Sequence, residues 1–154
     1  MKKTVQIFMR ITFVVYCLVL FKLLFLELRL PFGDSNFNLI PFRSIAEYIS
    51  RAIKGTMNVG TSILNVGGNL IAFFPMGCYL PCLFKSFRKP KVFYPIILAV
   101  LIAVESLQFA FKIGIFDIDD IILNFAGAIL GYILVISPKF NDLLKKIYVL
   151  CEYY

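Results

Sequence analysis

A short acidic segment precedes the last apolar stretch of this chain. Asp117, Asp119 and Asp120 lie within four residues, and Asn124 follows Asp120 at a spacing of four. Carboxylate and amide oxygens accept hydrogen bonds and suit hard divalent cations, and a carboxylate can act as a general base. Polar groups that enter a bilayer need partners or a function. The function of the chain therefore depends on what these side chains face.

Glu105 and Gln108 place further polar chemistry in the apolar stretch before the acidic segment. They are three residues apart and share one face of a helix. Burying a carboxylate in a membrane costs free energy, so we expect Glu105 to be protonated, paired or open to water. Lys22, at a similar depth in the first apolar stretch, is its candidate partner. The structural alternative to a functional Glu105 is a buried ion pair that joins the helices.

The second apolar stretch carries a pair of amides. Asn65 and Asn69 are four residues apart on one helical face, with two glycines between them. Pro75 lacks the backbone donor that would bond to the carbonyl of Ile71, which predicts a kink near the middle of the helix. Backbone groups freed in a membrane must be satisfied, so this region should face protein. The two amides then either line a binding site or join helices by hydrogen bonds.

One face of the last apolar stretch carries small residues and polar residues. Asp120, Asn124, Gly127 and Gly131 recur at intervals of four, three and four. The two glycines form a small-x-x-x-small surface that allows close backbone approach, and the acid and the amide lie above it. We expect Asp120 and Asn124 to belong to a site. The first two acids of the segment are expected to cap the helix or to be solvated.

Composition assigns the chain to the integral membrane proteins. The 154 residues have a mean hydropathy of +0.87, and only 16% of them are charged, which is far too apolar for a soluble domain of this size. Four stretches approach the roughly 20 apolar residues that cross a bilayer. The sequence therefore predicts an all-α, polytopic membrane protein with a single domain over residues 1–154. The expected spans are residues 7–28, 63–84, 92–111 and 121–136.

Basic residues orient these spans. Lys and Arg concentrate near the N-terminus, in the 85–91 connection and in the C-terminal tail. Because short basic segments stay on the cytoplasmic side, both termini are expected in the cytoplasm and the acidic segment outside. No small-x-small cleavage site follows the first span, so we interpret it as an uncleaved helix. The net charge of +7 therefore predicts orientation in a membrane and not nucleic-acid binding.

The first outer connection is expected to contain a short helix. Ser44 and Glu47 match the S-x-x-E capping box, and Gly55 can end a helix. Apolar side chains follow one face of this segment, which is too short to span a bilayer. The helix should therefore lie in the membrane interface, or pack on the outer end of the bundle. An apolar turn that contains Asn38 and Pro41 precedes it.

Cysteine and histidine usage limits the chemistry. The chain has four cysteines and no histidine, which excludes Ser–His and Cys–His nucleophiles and leaves zinc without its usual ligands. Cys17, Cys78 and Cys82 are expected to pack as small apolar residues. The sequence predicts no metal site and does not identify a cofactor.

Four polar motifs follow one another between residues 38 and 132. They are Asn38-x-x-Pro41-Phe42, Asn65-x-x-x-Asn69-Leu-Ile-Ala-Phe73-Phe74-Pro75-Met-Gly77, Glu105-x-x-Gln108, and Phe116-Asp117-Ile118-Asp119-Asp120-x-x-x-Asn124-x-x-Gly127-x-x-x-Gly131-Tyr132. This order resembles the VanZ-like family of small polytopic bacterial membrane proteins. One departure is Lys112, because many members carry an arginine before the acidic segment. A lysine cannot make the bidentate contact of a guanidinium.

The resemblance implies an envelope protein with no established catalytic mechanism, since the family is named for a member that lowers susceptibility to the glycopeptide teicoplanin. In one interpretation, the chain binds a membrane lipid, a lipid-linked or cell-wall component or a lipophilic glycopeptide at the outer leaflet, and affects glycopeptide susceptibility. In the other, it is an intramembrane enzyme that acts on a lipid headgroup, with Glu105 as general base and Asp120 and Asp117 holding a divalent cation. The candidate binding residues lie at one depth or in the connection above it: Asn38, Asn65, Asn69, Glu105, Gln108, Asp117, Asp120 and Asn124.

Thiol labelling tests the predicted orientation. A cysteine introduced at Asp117, in a variant that lacks the native cysteines, should react with a membrane-impermeant maleimide added outside intact cells. Reaction only from the cytoplasmic side would contradict the orientation.

Overall fold

Five helices and two short strands make up the fold, in a computed structural model that describes residues 2–26 and 37–138. Four helices are long and apolar enough to cross a membrane, which confirms the predicted all-α, four-span architecture. The end of the first predicted span, at residues 27–28, and the tail from residue 139 lie outside the described residues. In chain order the elements are α1 (Lys2–Phe25), β1 (Phe37–Asn38), α2 (Arg43–Ile53), α3 (Val59–Leu83), a 3-10 turn (Lys85–Arg88), α4 (Pro90–Ala110), β2 (Phe116–Asp117) and α5 (Ile118–Ile136).

Side-chain caps on α3 and α5, and a proline in the first turn of α4, start these helices a few residues before the apolar stretches that predicted them. The side chain of Asn58 accepts a hydrogen bond from the backbone N–H of Gly60 at 2.7 Å, so α3 begins at Val59 and not at residue 63. Pro90 occupies the first turn of α4, where its missing N–H costs nothing. The Asp117 side chain caps α5. Hydropathy alone does not register these caps or the proline.

The tightest contact in the fold joins α3 to α5. A methyl group added at Gly127 would lie on the carbonyl oxygen of Leu70, and one added at Gly131 would lie on that of Phe74. This register shows that the two helices run parallel, with their backbones in contact. The close approach predicted from the glycine spacing is therefore confirmed. Helix α3 contributes Gly77 to the same contact, where an added methyl would meet the carbonyl oxygen of Ala128.

Helix α3 continues through Pro75 and Pro81 as one element. Near Pro75, the hydroxyl of Tyr16 donates to the carbonyl oxygen of Ala72 at 2.7 Å. This bond satisfies a backbone acceptor close to the proline from a neighbouring helix, as a membrane interior requires. The contact fits the expectation that the region faces protein, whereas the kink itself stays a prediction.

Helix α1 lies at the edge of the bundle and α5 near its centre. In an apolar 18-residue segment taken from each helix, 44% of α5 is buried within the protein, whereas only 11% of α1 is buried. Rings of Phe13 and Tyr79 pack at a centroid distance of 5.4 Å and hold α1 to α3. Toward its C-terminal end α1 meets α4 instead, since Gln108 Nε2 donates to the carbonyl oxygen of Leu24 at 2.8 Å.

Aromatic side chains pack together at the end of the bundle where α4 begins and α5 ends. The Phe93 and Tyr132 rings stack at 4.4 Å, and the Tyr132 hydroxyl donates to the carbonyl oxygen of Arg88 at 2.7 Å. The Arg88 Nε in turn donates to the carbonyl oxygen of Pro81 at 3.1 Å. Stacking and hydrogen bonds thus fix the basic 3-10 turn against α5.

The two strands form a parallel pair that the sequence does not predict. Phe37 pairs with Phe116, and Asn38 pairs with Asp117. This pairing holds the first connection against the start of α5. It is the structural reason that Asn38 and the acidic segment meet.

Alanine substitutions in α5 and α3 test the parallel backbone contact. Gly127→Ala should lower the free energy of unfolding by about 1–3 kcal/mol, because the carbonyl of Leu70 leaves no room for a methyl group. Gly67→Ala is the matched control, since no described atom lies within 4 Å of the methyl it would add. The control should be neutral, or stabilising by up to about 1 kcal/mol through helix propensity. Equal effects in thermal or denaturant unfolding of the purified protein would contradict the packing.

Candidate functional site

Asp119 caps α2 from the first turn of α5. Its carboxylate accepts hydrogen bonds from the backbone N–H groups of Phe42 at 2.5 Å, Ser44 at 2.8 Å and Ile45 at 3.2 Å. Phe42 precedes the helix with φ +66° and has no side-chain acceptor to offer. A carboxylate near a helix N-terminus is also favoured by the helix dipole. The sequence predicted that this acid caps its own helix or is solvated. It is 1% exposed and caps α2 instead.

Asp117 connects the same two regions. It caps α5 by accepting from the backbone N–H of Asp119 at 2.9 Å, which confirms the predicted cap. Its two carboxylate oxygens also accept from Ser44 Oγ at 2.5 Å and from Asn38 Nδ2 at 3.0 Å. Asp117 is buried, so Lys112, which is exposed, is the better position for the labelling cysteine.

The predicted capping box at Ser44 and Glu47 is wrong. Helix α2 begins at Arg43, which places Ser44 inside its first turn. The Ser44 hydroxyl donates to Asp117, and Glu47 lies in an exposed ion pair with Arg43 at 3.4 Å. A buried carboxylate from α5 replaces the local cap because it reaches three backbone donors at once. The predicted end of the helix at Gly55 is confirmed, with φ +67°.

Glu105 supports the acidic segment from α4. The side chain is 2% exposed, and its Oε2 accepts from the backbone N–H of Asp117 at 3.3 Å. Lys22 is exposed on α1, and within residues 2–26 and 37–138 no ion pair joins it to Glu105. The expected Lys22 partnership is therefore not formed. Gln108, one turn away, bonds to α1 as described above.

We call Asn38, Ser44, Glu105, Asp117 and Asp119 the support cluster. All but Ser44 are buried. Their hydrogen bonds link the first connection, α2, α4 and the start of α5. Buried polar groups that are satisfied in this way rigidify a structure. The support cluster thus fixes the geometry of the outer end of the bundle.

A second polar group lies between α3 and α5. Asn69 Nδ2 donates a short hydrogen bond to Asp120 Oδ1 across the two helices. Asn124 lies one turn along α5 from Asp120 and is 3% exposed. No described residue donates a hydrogen bond to its buried Oδ1. We call Asn69, Asp120 and Asn124 the acceptor group, and the half-buried Asn65 lies one turn from Asn69 on α3.

The structure therefore divides the predicted site in two. Asn38, Glu105 and Asp117 belong to the support cluster, and Gln108 joins α4 to α1. Asn69, Asp120 and Asn124 form the acceptor group, and Asn65 lies one turn from it on α3. The members of the support cluster that the sequence reasoning did not assign to the site are Ser44 and Asp119, and it also missed the backbone of Phe42. A serine two residues after an Asn-x-x-Pro-Phe turn gives no signal of its own, because its partner lies 73 positions away.

The oxygen atoms of the acidic segment face backbone and side-chain donors. Over the described parts of the chain, no group of three His, Cys, Asp or Glu residues is placed to hold one metal ion. Asp117 and Asp120 point to different partners, Ser44 and Asn69. The cation site of the enzymatic interpretation is thus not assembled from these residues.

Lys112 ends α4 in a backbone position that usually takes glycine. Its φ is +57°, and the N–H groups of Lys112 and Ile113 donate to the carbonyls of Phe109 and Gln108. This is the Schellman arrangement that closes a helix. Lys112, the residue at which the sequence departs from the common arginine, therefore forms the turn that leads into β2.

Comparisons with known proteins agree on one family. The VanZ/LLP1 family model matches residues 13–141. The protein VanZ of Enterococcus faecium is 33% identical over 90 residues, which is 57% of this chain and 55% of that protein. The chain thus aligns with about half the length of this curated relative. No solved structure matches the chain.

Truncating Asp119 tests the support cluster. Asp119→Ala should lower the free energy of unfolding by about 2 kcal/mol or more, because buried N–H groups at the start of α2 lose their acceptor. Hydrogen exchange should rise first in the amides of Ser44 and Ile45. Glu47→Ala is the control and should cost less than about 1 kcal/mol, since its ion pair is exposed. Unchanged protection of α2 in Asp119→Ala would contradict the cap.

Proposed function

The chain belongs to the VanZ/LLP1 family and crosses the membrane several times, and we propose that it binds a lipid-linked or cell-wall component, or a lipophilic glycopeptide. Binding occurs at the outer leaflet of the bacterial cytoplasmic membrane. The bound molecule links the protein to glycopeptide susceptibility in its host. The relative from Enterococcus faecium carries the name VanZ, which supports the connection to the envelope.

The acceptor group is the observation that carries this proposal. The support cluster uses its carboxylates to hold helix starts and strands together. Asp120 is half-buried, and Asn124 keeps an acceptor atom that no described residue satisfies. Leaving such an atom buried costs free energy of about 1–3 kcal/mol. A ligand that donates hydrogen bonds would recover that free energy, which is the signature expected of a binding site.

Charge supports the outward orientation of this site. The 3-10 turn and the residues beside it carry Lys85, Arg88, Lys89 and Lys91, and short basic connections remain in the cytoplasm. The acceptor group lies near the start of α5, at the opposite end of that helix from Tyr132, which binds this turn. Both termini are then cytoplasmic and the acceptor group faces the outer leaflet.

The contacts of Glu105 favour binding over catalysis. A general base must reach the proton that it abstracts, yet Glu105 is 2% exposed and holds the backbone of Asp117. Its role is to position the acidic segment. The enzymatic interpretation therefore becomes an outcome of the experiment below.

Two isosteric substitutions separate the interpretations in a host that lacks the native gene. Asp120→Asn keeps an acceptor for Asn69 but removes the charge, so it should lower the effect on glycopeptide susceptibility several-fold at a normal membrane level. Glu105→Gln should weaken the effect less, because an amide oxygen can still accept from Asp117. Glu47→Gln, a charge-matched change on exposed α2, should have no effect.

Two outcomes would contradict the proposed binding function. Abolition by Glu105→Gln at a normal protein level, together with a lipid species that is converted only by the unmutated protein, would establish catalysis. Full function of Asp120→Asn would contradict the proposed site.

A further inference from the structure

We propose that α2 lies flat in the lipid leaflet on the side of the acidic segment and inserts one row of apolar side chains into it. The partner of this surface is the acyl-chain region of the phospholipids. We call the inserted residues, Ala46, Ile49 and Ile53, the apolar stripe. The surface lies outside the support cluster and the acceptor group, so the inference does not depend on the ligand of the proposed function.

Three stripes of different chemistry run along α2, and each covers about a third of its circumference. The packed stripe is half-buried and consists of Ser44, Tyr48 and Ala52. The apolar stripe is exposed, and the exposed fractions of Ile49 and Ile53 are 53% and 81%. The charged stripe is also exposed and consists of Arg43, Glu47 and the C-cap Lys54. A helix with this pattern has protein on one side and separates an apolar medium from water on the other two.

Hydrogen bonds hold the packed stripe against the bundle. The Ser44 hydroxyl donates to Asp117 at the start of α5. In the first turn of α3, Ser62 Oγ donates to the carbonyl oxygen of Tyr48 at 3.2 Å. No residue of α2 is buried, so the bundle covers only this side of the helix. The two bonds therefore also fix the directions in which the apolar and charged stripes face.

The bond to Ser62 sets the depth of α2 in the membrane. Ser62 lies within the stretch from Val59 to Leu83 that is long and apolar enough to cross a bilayer. The next two residues of α3, Ile63 and Leu64, are 64% and 73% exposed, as side chains of a spanning helix are where they face lipid. The middle of α2 is bonded at this level. Its exposed apolar stripe is therefore at the depth of lipid and continues the lipid-facing surface of α3.

The charged stripe matches the headgroup layer of the same leaflet. A helix that lies in a membrane interface buries its apolar face by about 5–10 Å and keeps cationic side chains among the headgroups. Arg43 and Lys54 lie at the two ends of α2, so a flat helix places both at one level. Glu47 pairs with Arg43 at 3.4 Å on the same side of the helix. No charged residue interrupts the apolar stripe between Ala46 and Ile53.

Tryptophan fluorescence tests the insertion. The chain contains no tryptophan, so Ile53→Trp gives the full-length protein a single fluorophore on the apolar stripe. The purified variant is reconstituted into phosphatidylcholine vesicles whose acyl chains carry bromine, a contact quencher, near their headgroup end. Compared with unbrominated vesicles, these should reduce the emission about twofold or more, because an interfacial helix places its apolar face at that depth. Ile49→Trp, one turn earlier on the apolar stripe, should behave in the same way.

Glu47→Trp is the matched control on the charged stripe of the same helix. The substitution breaks only an exposed ion pair, so the fold should tolerate it. Its emission should be quenched much less by the brominated acyl chains than that of Ile53→Trp. Acrylamide dissolved in the water should have the opposite effect and quench Glu47→Trp more strongly. This opposite pair of results assigns the lipid contact to the apolar stripe and not to α2 as a whole.

Three results would overturn the inference. Equal quenching of Ile53→Trp and Glu47→Trp by brominated lipid would contradict the orientation of α2. Strong quenching of both Ile49→Trp and Ile53→Trp by acrylamide, with none by bromine, would place the apolar stripe in water. Blue-shifted emission that neither quencher reduces, and that changes with the protein-to-lipid ratio, would show that a second copy of the chain covers the apolar stripe instead of lipid.

Discussion

The outer end of this protein depends on how closely α3 and α5 approach each other. Gly127 and Gly131 bring the backbone of α5 onto the carbonyl oxygens of Leu70 and Phe74. Because the two helices run parallel in this register, Asn69 in the third turn of α3 lies beside the first turn of α5. Asn69 can then reach Asp120 across the interface. A larger residue in this contact would separate the helices and the polar groups above it together.

The acidic segment divides its carboxylates between two tasks. Asp117 and Asp119 hold the first connection and the start of α2, and Glu105 supports them from α4. Such a buried set is stable only because nearly every polar atom has a partner. Asp120 points the other way, into the interface between α3 and α5. Acids that are neighbours in the sequence therefore have different roles: Asp117 and Asp119 belong to the support cluster, and Asp120 belongs to the candidate site.

The spacing of apolar residues and the composition predicted the helices, but not which distant residues contact each other. The four spans, the Gly127 and Gly131 contact and the end of α2 at Gly55 follow from hydropathy, helical spacing and turn chemistry. The Ser44 and Glu47 motif failed because a distant carboxylate gives the helix a better cap than the local residues do. Asn38 and Asp117 meet through a parallel strand pair 79 residues apart, and no local pattern records such a pairing.

The central claim is that Asn69 and Asp120 act as one unit of a binding site. A double-mutant cycle on the effect on glycopeptide susceptibility tests it most directly, with Asn69→Ala, Asp120→Ala and the double variant at equal membrane levels. Residues that share a site give non-additive losses. The double variant should therefore lose no more of the effect than Asp120→Ala alone. Losses that simply add, or single variants that retain the full effect, would contradict the claim.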